Sequence, residues 1–198
     1  MIAVITGDII NSRVGAPSEW LDNLKAVLSK FGQEPKQWEI YRGDSFQLAL
    51  APQIAVEAAI HIKASIKQSP DHDVRMAIGI GNETSSATKI TESNGQAYIR
   101  SGEGFEALKK NTFLVQTGSE ELDESLNIMI GLAMLTANNW TSTAATAIVT
   151  TLENANKPQK EIAAFLNKSQ SSVSESLKRG GLDEIMQFNA YYKAQIAK

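Results

Sequence analysis

Hydrophobic and polar positions along the first half of the chain mark out its elements in turn. Ile2–Thr6 is an unbroken apolar run that stops at Gly7-Asp8, the pattern of a strand covered on both faces. From Pro17 the spacing becomes helical: Trp20, Leu21, Leu24, Val27, Leu28 and Phe31 share one face, and Gly32 ends it. The stretch "EIYRGDSFQLAL" (Glu39–Leu50) then alternates with period two, so Trp38–Tyr41 and Phe46–Leu50 predict a hairpin around Gly43-Asp44. Pro52 opens a second helix, striped with Ile54, Val56, Ala59, Ile60 and Ile66 and closed by Ser69-Pro70. Val74–Gly81 predicts another buried strand, and Gly79 and Gly81 mark a close backbone approach. Gly95–Lys110 predicts a third helix and Phe113–Gln116 a short strand.

The resulting order, β-α-β-β-α-β-α-β, begins with the six elements of a split βαβ unit. The expected fold class is therefore α+β: a ferredoxin-like βαββαβ palm with two helices on one face, followed by an all-α helix-turn-helix domain. We expect the palm over residues 1–118, a connecting helix over 119–139 (Leu122–Leu135 carries its pattern) and the helical domain over 140–198.

Composition narrows the function classes. Apolar residues make up 42% and charged residues 21%, ordinary for a globular protein, and the absence of cysteine excludes disulfides, thiolate zinc sites and a thiol nucleophile. No apolar run approaches the roughly 18 residues that span a bilayer, and the N-terminus reads as a core strand rather than a signal peptide. We therefore expect a cytoplasmic protein without a membrane partner, which sets aside an adhesion reading of Arg42-Gly43-Asp44. The net charge of −3 is uneven: residues 1–140 carry 12 Lys+Arg against 17 Asp+Glu, residues 141–198 carry 7 against 5. A mildly basic C-terminal part points toward an anionic partner there.

In the expected topology the first strand lies beside the hairpin, so Asp8 and Asp44, 36 positions apart, converge at one rim of the sheet. Two carboxylates with the Ile9 carbonyl nearby form a hard-oxygen site suited to Mg²⁺ or Mn²⁺, and such an ion usually bridges nucleotide phosphates. Asn11, Arg13, Arg42 and Gly43 surround that point. The two arginines either contact phosphate oxygens or neutralise the aspartates, and Asp8 and Gly43-Asp44 also fit plain turn roles. Arg100 and Lys89 read as solvated. His61 and His72 lack the neighbours of a triad or a zinc site and read as structural or exposed.

"VITGDIINSR", "YRGDSFQLAL" and "VRMAIGIG" together resemble the palm of nucleotidyl cyclases, including the diguanylate (GGDEF) group. "GDIINSR", "RGDSFQLAL" and "NGQAYIRSGEGFEALKK" resemble the SatD family over roughly residues 1–115. The resemblance implies metal binding at Asp8 and Asp44 and a nucleotide ligand. The departures matter. The Asn–Arg pair that stabilises charge on the transferred phosphorus in active cyclases is missing between Gly95 and Phe105, where only Arg100 stands. Arg42 and Ser45 replace the first glycine and the glutamate of the diguanylate signature. Because phosphoryl transfer rests on positioning and charge stabilisation, ligand binding without turnover is the expectation, and metal-dependent nucleotidyl or phosphoryl transfer is the alternative.

"PQKEIAAFLNKSQSSVSESLKRG" carries the clearest local pattern. Pro158 suits a first helical turn, with Ile162, Ala163, Phe165 and Leu166 as the buried face. Asn167 suits a left-handed turn, and Ser169 caps a second helix, Gln170–Arg179, that buries Val173 and Leu177. Ala144–Leu152 is the expected support helix. This spacing resembles the helix-turn-helix of bacterial regulators, although Lys168 stands where an apolar residue is usual. That resemblance implies a DNA partner. Gln170, Ser171 and Ser174 then face base edges while Lys160, Lys168, Lys178 and Arg179 reach phosphates, in a homodimer reading paired half-sites. The closing helix, with Ile185, Phe188, Tyr191 and Tyr192, packs on the palm or on a second subunit.

Overall fold

The structure, a computed structural model, describes residues 1–198. Its elements are β1 (Ile2–Ile10), α1 (Ser18–Phe31), β2 (Trp38–Tyr41), β3 (Ser45–Leu50), α2 (Ala55–Ile66), β4 (Asp73–Gly81), β5 (Glu83–Ser85), β6 (Asn94–Gly95), α3 (Gln96–Ala107) and β7 (Phe113–Gln116). Then come α4 (Glu120–Ala137), α5 (Ser142–Glu153), α6 (Gln159–Phe165), α7 (Gln170–Arg179) and α8 (Leu182–Ile196). The five-stranded sheet has the order β2-β3-β1-β4-β7. Its first four strands are antiparallel and β7 joins β4 in parallel, so the α+β class with a ferredoxin-like palm followed by helices holds.

Strand β1 runs further than its apolar run suggests. Ile9 and Ile10 keep pairing with Val74 and Asp73, so Asp8 lies inside the strand rather than at its end. Gly7 is tolerated mid-strand because the Phe46 ring and the Arg75 carbonyl occupy the space of a side chain there, 2.6 and 2.9 Å from where a Cβ would sit. The hairpin closes at Tyr41–Ser45 around Arg42, Gly43 and Asp44, with Arg42 at φ 53° and Gly43 at φ 93°.

Alternate residues of each strand divide between two faces. Ile5, Leu48, Met76 and Ile78 point into the main core with α1 and α2. On the other face α3 lies directly on β4: a Cβ at Gly79 would sit 2.2 Å from the Ser101 nitrogen and 2.3 Å from the Ala97 carbonyl. The Thr6 and Ser101 hydroxyls join strand to helix there, 3.0 Å apart. The small sheet β5-β6 leads into α3 and was not foreshadowed by the polar loop that encodes it.

Helix α2 is buried almost all round, as its apolar composition on every side demands. The sheet covers one side and the C-terminal helices the other. Trp140, Ile148, Val149, Leu182, Ile185 and Tyr192 belong to the same 35-residue core as the strands. The buried Tyr192 hydroxyl donates to the Pro52 carbonyl at 2.6 Å. Trp140 Nε1 donates to the Gly180 carbonyl at 2.7 Å, fixing the start of α5 to the end of α7. Within α2, buried Lys63 donates to Asp73 at 2.7 Å and has no other partner. Helices α6 and α7 add a separate small cluster, Ile162, Ala163 and Val173. Phe165 does not join it: the residue expected to be buried is 56% exposed, with Lys157 Nζ 5.0 Å from its ring centre. Both histidines are buried, His72 with Nε2 3.0 Å from the Val14 carbonyl and His61 against Phe31.

Candidate functional site

Cross-strand register builds the first candidate site. Tyr41, Ser45, Asp8 and Arg75 lie opposite one another across β2, β3, β1 and β4, a polar row on the face that carries α3. The next row holds Glu39, Gln47, Thr6 and Ala77. Helix α3 covers the β4 side of this face. A single turn, Ile90–Glu92, covers the β2 side, where the Thr91 hydroxyl donates to Glu39 at 2.5 Å. Between them an open cleft of about 410 Å³ is lined by Glu39, Tyr41, Arg42, Gln47 and Thr91.

Asp8 and Asp44 are brought to the same end of the β1-β3 pair. Asp44 precedes the partner of Asp8, and its carbonyl accepts from the Ile9 amide at 3.2 Å. Each carboxylate is engaged by its own donor. Arg75 grips Asp8 from both sides, Nε to Oδ1 at 3.0 Å and Nη2 to Oδ2 at 2.5 Å. This paired hydrogen bonding holds the guanidinium still more firmly protonated than usual, against partial burial. Its other side lies 5.4 Å from the Phe105 ring centre. Asp44 Oδ2 accepts from the Ser12 hydroxyl at 2.5 Å. The Tyr41 hydroxyl is held in its neutral form, chiefly by burial; Arg42 opposes this and Asp8 reinforces it.

Asn11 takes a left-handed conformation at φ 62° and its side chain donates to the Asp71 carbonyl at 2.9 Å, shaping the turn after β1. Arg13, Arg42 and Gly43 are exposed around that rim, and the ion-pair partner of Asp8 is neither arginine but Arg75. Arg100, expected on the surface, instead turns inward and donates to the Ile80 and Thr117 carbonyls at 2.5 and 3.0 Å. No group of three or more His, Cys, Asp or Glu forms. Asp8 is committed to Arg75 and Asp44 to Ser12, so a cation shared between them would have to displace both donors. Arg75 was missed from the sequence, although one arginine in an otherwise apolar strand needs a partner on its own face.

The second candidate site is built by the α6–α7 turn. Asn167 is left-handed at φ 52°, and the Lys168 amide donates back to the Ala163 carbonyl at 3.0 Å, closing α6. The Ser169 hydroxyl caps α7 by accepting from the Ser172 amide at 3.2 Å. Val173 and Ser176 face inward, while Gln170, Ser171 and Ser174 are exposed together with Lys160 and Lys168. Lys178 and Arg179 stand at the opposite end of α7, about 12 Å along the axis from Gln170. There they line a groove against Leu132 and Ala133 of α4.

No helix is long and apolar enough to cross a membrane. Among curated proteins, none matches the chain. The SatD family model matches residues 1–194, covering the sheet and nearly all of the C-terminal helices, and the chain therefore belongs to the SatD family.

Proposed function

We propose that this chain is a DNA-binding regulator whose palm binds a nucleotide with a divalent ion as its signal. The observation that carries the reading is the face of α7. It is a capped helix, held from behind by Val173, whose N-terminal residues Gln170, Ser171 and Ser174 are exposed, Ser171 sharing a hydrogen bond only with the capping Ser169. Gln170 is the base-reading residue; Lys160 and Lys168 supply phosphate contacts, and Ser169 sets the helix start. Lys178 and Arg179, at the far end of α7, stand outside the base-reading surface and reach at most the flanking backbone. A dimer, pairing two such helices, supplies the symmetry that half-site recognition needs.

At the palm, Asp8, the Ile9 carbonyl and Asp44 are the ion's ligands, with Asn11, Arg13, Arg42 and Gly43 on the phosphate side. The ion would neutralise phosphate charge. Arg75, released from Asp8, would take up part of that charge itself. The transfer-enzyme reading draws less support, because Arg100 is committed to backbone carbonyls and no Asn–Arg pair replaces it.

The test has two arms. Fluorescence anisotropy with mixed-sequence duplex at low salt is expected to show binding that Lys168→Ala with Gln170→Ala weakens at least tenfold, a loss of about 1.4 kcal/mol. Unchanged binding removes the DNA reading. Thermal shifts with a nucleotide panel are expected to rise only when Mg²⁺ or Mn²⁺ is also present, and Asp44→Asn should erase the rise. No shift with any nucleotide removes the sensing reading, and conversion of ATP or GTP to product that depends on Asp44 replaces it with the enzymatic one.

A further inference from the structure

Helix α4 is apolar on two opposite faces. Leu126, Ile130, Met134 and Ala137 fill the core. On the other side Ile128, Leu132 and Leu135 are 60%, 64% and 71% exposed. Single exposed apolar residues are ordinary, but three at spacings of four and three share one stripe. In the middle stands Gly131, which weakens a helix by about 1 kcal/mol relative to alanine. Nothing within the chain requires it: a Cβ there would meet no atom within 4 Å. With no side chain of its own, Gly131 leaves a notch on the groove that it lines with Leu135.

Charge on this face is divided lengthwise. The first turns of α4 expose Glu120, Glu121 and Glu124. The C-terminal half is flanked by a cationic excess on both sides, Lys178 and Arg179 with one acid, Glu184, along one groove and Lys110 along the other. A face that is acidic at one end, apolar in the middle and basic at the other is complementary to itself when reversed.

We propose that a second copy of this chain docks on this face, α4 against α4, antiparallel about a two-fold axis beside Gly131. In that register Leu132 of each copy seats in the notch at Gly131 of the other, and Ile128 meets Leu135. Glu121 and Glu124 come to lie beside the basic C-terminal flank of the second helix. A parallel arrangement would set glutamates against glutamates, so the charge pattern selects the antiparallel one. One helix pair with its groove walls falls at the small end of specific interfaces, below about 1,200 Å², so association in the micromolar range is expected. The inference rests on α4 and stands whether or not α7 binds DNA.

Sedimentation of the full chain from low to high micromolar concentration tests it. The mass is expected to climb from 21.5 kDa toward twice that value. Leu132→Asp, at an exposed position, should stay monomeric with an unchanged melting temperature. Glu124→Lys should weaken association severalfold, and adding Lys110→Glu should restore it. A wild-type chain monomeric at every concentration overturns the proposal, as does Leu132→Asp associating like wild type. Charge reversal at Glu124 without effect overturns the antiparallel register. Binding to anionic vesicles or to an added apolar peptide in place of self-association assigns the stripe to another occupant and equally overturns it.

Discussion

Asp73→Ala is expected to lower the unfolding free energy by about 3–5 kcal/mol, the penalty of leaving a buried charge without its partner. Lys63 is 1% exposed, and Asp73 is its one hydrogen-bond acceptor, at 2.7 Å. Burial pushes the Lys63 ammonium below the ordinary lysine value, and Asp73 opposes that push. With the folded-state value depressed, the unfolded chain holds the proton more tightly. Stability therefore rises with pH between the folded value and about 10.5, and the full penalty applies below that window. Removing Asp73 depresses the folded value further and widens the window downward, so the variant's deficit in chemical denaturation should shrink as pH is raised from 7 toward 10. Lys63→Met combined with Asp73→Ala should recover most of the loss, since an apolar side chain of similar length needs no acceptor. A single variant as stable as wild type at neutral pH would mean that Lys63 reaches water after all.

Gly79→Ala is expected to cost about 3 kcal/mol or more, at the upper end of overpacking penalties. Its new methyl would collide with two backbone atoms of α3 rather than with side chains able to rotate away, at 2.2 and 2.3 Å. Helix α3 must lift from β4, breaking the Thr6–Ser101 contact and loosening Phe105 over Arg75. The matched control is Gly102→Ala in the same helix, where a Cβ meets nothing. That substitution should stabilise the protein by about 0.5–1 kcal/mol. Equal melting temperatures for the two variants would mean that α3 does not sit on the strand as described.

The contrast between these glycines shows what one sequence can and cannot reveal. Gly79 and Gly81 inside an apolar strand signalled a close neighbour, and α3 is that neighbour. The side of the sheet it takes was not legible, because a crossover's direction depends on where the remaining helices already lie. The ferredoxin-like order placed β1 beside the hairpin and so Asp8 near Asp44, but the register that sets Asp8 opposite Ser45 was not legible. What occupies Asp8 was hidden, since Arg75 becomes its neighbour only through the pairing of β1 with β4. Asn167 and Ser169 were readable as turn and cap because their chemistry is local. Phe165 misled because spacing names a face but not what covers it: Ile162 and Ala163 meet Val173, while the Phe165 ring lies out beside Lys157.

One consequence follows from Tyr192 reaching Pro52 across the seam between α8 and the turn that opens α2. A hinge at Asn138–Thr141 has no freedom to swing while Trp140 and Tyr192 are anchored on either side of it. A displacement of the sheet would then carry the C-terminal helices along as one block, a lever without a joint. Tyr192→Phe, which removes only the hydroxyl that reaches Pro52, should let that seam open more often, read as faster amide hydrogen exchange in α8, while leaving both surfaces chemically intact.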